Sequence, residues 1–201
     1  MIKKRLLFET LLSKKNSKKA NIIKTKNKKE LKMGFMENYK THCDERAALG
    51  VPPLALDKGQ VAEVVELLRS EKKANAELAD LLENRVNPGV DDGAKVKAEY
   101  LAKILDGSEE CASISRLDAV RMLGKMLGGY NVKPLINALG TDDTSVAKAA
   151  ANELKNTLLV YEAFNDIVEL SKSNMLAEEV LNSWANAEWF TSKPSVPDVM
   201  E

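Results

Sequence analysis

Past Met36 the apolar side chains recur every three or four positions rather than on alternate ones, the period of a helix with one buried face. A first segment over 37–49 stops at Gly50 and is broken by Pro52 and Pro53. Asp57, with Gln60 three residues on, forms the sequence signature of a capping box. Behind it Val61, Val64, Val65 and Leu68 fall at i, i+3, i+4 and i+7, one inward stripe. Leu78, Leu81 and Leu82 repeat the stripe in a helix that ends at Asn87-Pro88-Gly89.

Further on, Asp91 or Asp92 starts a helix with Val96, Tyr100 or Leu101, and Ile104 inward and Gly107 at its end. Ser115 with Asp118 is a second capping box, ahead of Leu117, Val120, Leu123 and Leu127, and Gly128-Gly129 terminates that helix. Pro134 fits the first turn of the next one. A polar turn over 141–144 lets Thr144 cap a long helix over 145–164, and segments at 166–171 and 175–190 follow. These readings predict about nine helices with short connections, either a bundle or stacked helix pairs. Pairs repeating near 40 residues without a strong consensus favour the stack: an all-α, HEAT-like α–α superhelix of antiparallel helix pairs. Such stacks expose long surfaces, which points to an interaction module.

Charge divides the chain in two. The formal net charge of the 201 residues is zero, but residues 1–35 carry twelve basic side chains against Glu9 and Glu30. Residues 36–201 therefore carry 18 basic and 28 acidic ones. Domain boundaries follow: a basic leader over 1–35, a helical domain over 36–190, and a linker with Pro194 and Pro197 over 191–201 leading to a downstream domain absent from this sequence. The leader matches neither a secretory signal, because Leu6–Leu12 is interrupted by Glu9 and Thr10, nor an Arg-rich presequence. It reads as translated A-rich sequence ahead of a true start at Met33 or Met36, as a basic arm for nucleic acid or anionic lipid, or as a targeting segment. The acidic body is a poor nucleic-acid binder, since phosphate contacts need Lys and Arg. No run of about 18 uninterrupted apolar residues is present to span a bilayer.

Candidate chemistry is sparse. Cys43 and Cys111 lack CxxC spacing and form neither a disulfide framework nor a zinc motif, so a reducing, cytoplasmic setting is expected. His42 is the chain's one histidine, and its neighbour Cys43 points about 100° away on a helix, so the two do not converge on a metal. Asp142-Asp143 reads as turn and cap chemistry rather than a calcium loop. Gly128-Gly129-Tyr130-Asn131 has no following Lys-Ser/Thr and reads as a tight helix–helix corner with Tyr130 packed over it. Trp184 and Trp189 lie about 140° apart around a helix, so one fills the core while the other looks outward. Trp189 and Phe190 are the candidate interaction surface. No catalytic, cofactor-binding or metal residue is assigned.

Four strings are specific beyond this pattern: residues 39–50 (YKTHCDERAALG), 84–101 (NRVNPGVDDGAKVKAEYL), 126–139 (MLGGYNVKPLINAL) and 183–190 (SWANAEWF). In order and spacing they resemble the N-terminal domain of bacterial aconitase B, over roughly 36–190. The resemblance implies a HEAT-like domain ahead of the swivel and catalytic domains of an aconitate hydratase, a lyase that interconverts citrate and isocitrate in the tricarboxylic acid cycle. Some family members also dehydrate 2-methylisocitrate. It implies roles in protein–protein recognition, dimer formation and shaping the substrate route. Its expected partners are the swivel and catalytic domains, a second copy, or another metabolic enzyme. The family's iron–sulfur cluster is held by three cysteines far downstream, and its catalytic serine and arginine have no matching positions here. The chain alone is therefore expected to be inactive, a truncated or split part of the enzyme. The alternative is a stand-alone helical regulatory or RNA-associated module that uses the basic arm.

Overall fold

Two compact units divide the chain, Met1–Leu54 and Ala55–Glu201. The computed structural model describes residues 33–157, 160 and 163–186, and all regular structure among them is helical. In the first unit residues 33–48 are helical (α1), and Phe35 stacks on Tyr39 one turn away with ring centroids 6.2 Å apart. Gly50, at φ +70°, ends the helix as its sequence predicts, since a left-handed residue favours glycine. The chain then folds back on α1: Arg46 Nε donates to Pro52 O at 3.0 Å, and Leu54 N donates to His42 Nε2 at 3.1 Å.

The second unit begins with α2 (Lys58–Ser70), α3 (Ala76–Asn84), α4 (Asp92–Leu105) and α5 (Arg116–Gly124). It continues with α6 (Val132–Ala138), α7 (Thr144–Lys155), α8 (Phe164–Ser171) and α9 (Met175–Ala185). Both predicted capping boxes are present: Gln60 N donates to Asp57 and Asp57 N to Gln60, with Ser115 and Asp118 paired in the same way. Of the two candidates for α4, Asp91 is the cap, accepting from Ala94 N at 2.8 Å. Each cap satisfies a helix donor that would otherwise lack a partner. The stripes Val61/Val64/Val65/Leu68 and Leu78/Leu81/Leu82 are buried as their spacing predicts.

Packing is local in chain order. A row runs α2–α4–α5–α7–α9, with α3 against α2, α6 against α7 and α8 against α9. Every principal contact is thus between helices one or two places apart. Asn174 shows how the row is tied: its Oδ1 caps α9, and its Nδ2 donates to Leu139 O at the end of α6, 2.8 Å away.

Five expectations change. Asp143, not Thr144, caps α7, its carboxylate accepting from Ser145 N and Val146 N at 3.0 and 3.2 Å. The long helix expected over 145–164 ends at Lys155, and α8 begins at Phe164. At that end the Leu154 carbonyl accepts from Thr157 N at 3.0 Å, a tightened three-residue turn, and from Trp184 Nε1 at 2.9 Å. Asn156 and Thr157 reinforce the stop by bonding back to Asn152 O and Glu153 O. Leu127 is exposed rather than inward because α5 already ends at Gly124, beyond which the helical period no longer applies. Leu117 is exposed in the first turn of α5, where Ala119, Val120, Met122 and Leu123 supply the buried face. In α4, Val96 is only half-buried and its neighbour Lys97 faces inward instead.

Candidate interaction surfaces

The loops at 85–91 and 125–131 close on each other. Leu127 N donates to Pro88 O at 2.7 Å, and the Tyr130 hydroxyl donates to Val90 O at 3.1 Å. Gly128 lies so close to the other loop that a Cβ there would fall 2.1 Å from Gly89 O. Gly129, at φ +87°, reverses the chain, and buried Asn131 donates to Met126 O to hold the turn beneath. This is the helix–helix corner expected at Gly128-Gly129-Tyr130-Asn131. It leaves two aliphatic side chains outside, Val90 at 71% exposure and Leu127 at 67%, on loops that cannot part freely. A fixed apolar pair of this kind can meet another apolar surface with little ordering cost.

Several charged side chains in the second unit tie helices together. Lys97 is 3% exposed and donates from Nζ to Glu83 O at the end of α3, 2.9 Å away. Burial pulls its ammonium down to about 8; nearby Glu83 opposes that shift and Lys125 adds to it. Lys125 in turn pairs with the Glu83 carboxylate. Arg116 reaches back to the end of α4, donating to Leu105 O at 2.8 Å, and on to Thr141 Oγ1 at 2.9 Å. It thus places a cation at a helix C-terminus, where the helix dipole favours one. It also walls a cavity of about 440 Å³ with Lys133, Asn137 and Asp106. The Asp106 carboxyl is held below its ordinary range by the Ser108 hydroxyl and backbone N–H. Arg69 spans the gap to the loop after α4, bonding Glu109 through two nitrogens at 2.6 and 3.1 Å while lying over the Tyr100 ring.

Trp189 and Phe190, the surface proposed from sequence, lie outside the described residues. Trp184 is described and fills the core, 8% exposed and stacked on Phe164 with centroids 6.4 Å apart. His42 and Cys43 are both half-buried, and His42 is occupied by the Leu54 amide. Among the described residues no group of three or more His, Cys, Asp or Glu side chains is placed to hold a metal ion. Lys97 escaped the sequence reading although a signal was there: Ala94, Lys97, Ala98 and Leu101 carry the inward spacing, and all four are buried. Arg69 and Glu109, forty residues apart, left no local signal.

Comparison with known proteins settles the family. The model of the aconitate B N-terminal domain matches residues 38–190. Aconitate hydratase B of Helicobacter pylori is 51% identical over 167 residues, which cover 83% of this chain and 20% of that protein. The Synechocystis and Escherichia coli proteins of the same name are 46% and 45% identical over 82% of the chain and 19% of their own lengths. The chain belongs to the aconitase B N-terminal domain family. It spans about a fifth of the length of the curated relatives it matches. The donor set of this aconitase B domain does not fit an iron–sulfur cluster held by three cysteines. The chain has two, and Cys43 and Cys111 belong to separate units. Among the described residues of the domain, no helix is long and apolar enough to cross a membrane.

Proposed function

We infer that the chain serves as the N-terminal interaction domain of an aconitate hydratase B: a HEAT-like helical stack that docks on the swivel and catalytic parts of the enzyme. It supports their assembly, including self-association, in the cytoplasm. Interconversion of citrate and isocitrate belongs to the assembled enzyme, and the reacting groups and the cluster come from the other domains. The observation that carries this reading is the neighbour-to-neighbour row α2–α4–α5–α7–α9, on which Val90 and Leu127 are presented at a locked corner. A domain built this way supplies surface, not acid–base chemistry.

The test mixes the purified chain with the remainder of a relative from which the matching N-terminal fifth has been removed. Expected are no aconitate hydration by the chain alone, a complex with the remainder in sedimentation, and a rise in the remainder's hydratase activity on mixing. Turnover of citrate by the pure chain, or failure to associate with the remainder, would refute the assignment.

A further inference from the structure

The loop between α4 and α5 carries Cys111, half-buried in the wall of a solvent-open cavity of about 520 Å³ together with Ile104, Gly107, Ile114, Glu109 and Glu110. Beside it lies a group in want of a partner. Tyr100 is 2% exposed, and its hydroxyl makes no hydrogen bond of normal geometry anywhere in the fold. Burial, with the Cys111 thiol alongside, raises the phenol well above its ordinary range. The ring has no freedom to carry the hydroxyl to water. Arg69 lies 5.4 Å over its centroid and is itself held by Glu109 and Glu66. A buried hydroxyl without an acceptor loses its hydration for no return. The thiol beside it is a weak acceptor and does not make good the loss.

Other chemistry for this corner fails on the geometry. A cation site would need a set of free ligands, but Glu109 is committed to Arg69, and no metal-holding group occurs among the described residues. Acyl transfer by the thiol would need a neighbouring base, and the chain's one histidine is occupied by Leu54 N in the other unit.

We propose that Cys111 is a hydroperoxide-oxidation site whose sulfenic acid is retained because the Tyr100 hydroxyl donates to the new oxygen. The sulfur, as thiolate, attacks one oxygen of hydrogen peroxide; an S–O bond forms as the O–O bond breaks, and the departing hydroxide leaves as water on taking up a proton. The sulfur is oxidised by two electrons and the peroxide reduced by two, so that Cys–SH and H2O2 become Cys–SOH and H2O. The added oxygen is a strong acceptor where the sulfur was a weak one, and it completes the hydrogen bonding of a phenol already clamped in place. The site's distinguishing property is the lifetime of the oxidised form.

The experiment treats the full chain with hydrogen peroxide, removes the excess, and adds a dimedone-type sulfenic-acid probe at increasing delays, reading Cys111 and Cys43 separately by peptide mass spectrometry. Tyr100→Phe is expected to shorten the lifetime of the Cys111 label by about tenfold, the equivalent of one hydrogen bond. It should leave the far-UV circular dichroism of the chain and the lifetime at Cys43 unchanged. Arg69→Met, which unclamps the ring, should shorten it by a smaller factor. Absence of a sulfenic label at Cys111, or a lifetime unaltered in both variants, overturns the proposal. The unchanged circular dichroism distinguishes loss of the hydrogen bond from loss of the fold.

Discussion

Gly128→Ala tests the contact that closes the two loops. Gly128 does not have a left-handed φ, so an alanine there is not excluded by its own backbone. What excludes it is the neighbour: the new methyl would lie 2.1 Å from Gly89 O and 2.6 Å from Gly89 C, and backbone cannot swing aside as a side chain can. The loops must separate, at an overpacking cost of about 2 kcal/mol. The Leu127 N to Pro88 O bond stretches with them, at about 1 kcal/mol more. Alanine also stiffens the unfolded chain, which returns roughly 0.7 kcal/mol. The net is a loss of about 2 kcal/mol, or a melting temperature lower by roughly 4–8 °C for a domain of this size. Gly89→Ala is the matched control, because a Cβ at Gly89 meets nothing within 4 Å and its φ is not positive. The unfolded-state term is common to both variants, so the difference between them isolates the contact at about 3 kcal/mol. Urea unfolding of both variants measures it. If the two unfold at the same urea concentration, the loops are not held by this approach and the locked corner is wrong.

Two further outcomes follow from other parts of the fold. Asp143→Ala should cost about 1 kcal/mol in urea unfolding and Thr144→Ala close to nothing; equal costs would return the α7 cap to Thr144. Lys97, lowered from 10.5 to about 8 by burial, makes stability depend on pH in a stated direction. Between those values the unfolded chain binds the extra proton, so this group's contribution rises as pH rises from about 8 to 10.5, and its full penalty is present below about 8. The stability advantage of Lys97→Met over the native chain should therefore shrink between pH 7.5 and 10, by on the order of 1–2 kcal/mol. A pH-independent difference would mean that the ammonium is solvated.

How far the residues alone reached depended on the range of the interaction. Both capping boxes, the Gly50 and Gly107 stops, the α2 and α3 stripes and the Gly128-Gly129 corner were legible because each rests on residues within about four positions of one another. The end of α7 was not, because no glycine or proline marks it: Asn156 and Thr157 bond back onto the last turn, and Trp184, thirty residues later, joins the Leu154 carbonyl there. Leu127 was misplaced for a local reason, the early end of α5, and Lys97 because a charged residue at an inward position was not given its buried stem and backbone acceptor.

The sequence by itself determined that the described residues are helical and that charge is split between a basic 1–35 and an acidic 36–201, and its four strings carried the resemblance to aconitase B. These are matters of composition, period and local capping, which need no neighbour in space. Only the tertiary structure decided which surfaces are fixed and which groups are left wanting. Val90 and Leu127 become one feature through Gly128 against Gly89, and Tyr100 becomes an unsatisfied donor beside Cys111 through Arg69 and Glu109. Each of those relations joins residues ten to forty positions apart. Hydrogen bonding and close packing between such residues act through space, and no local period encodes them.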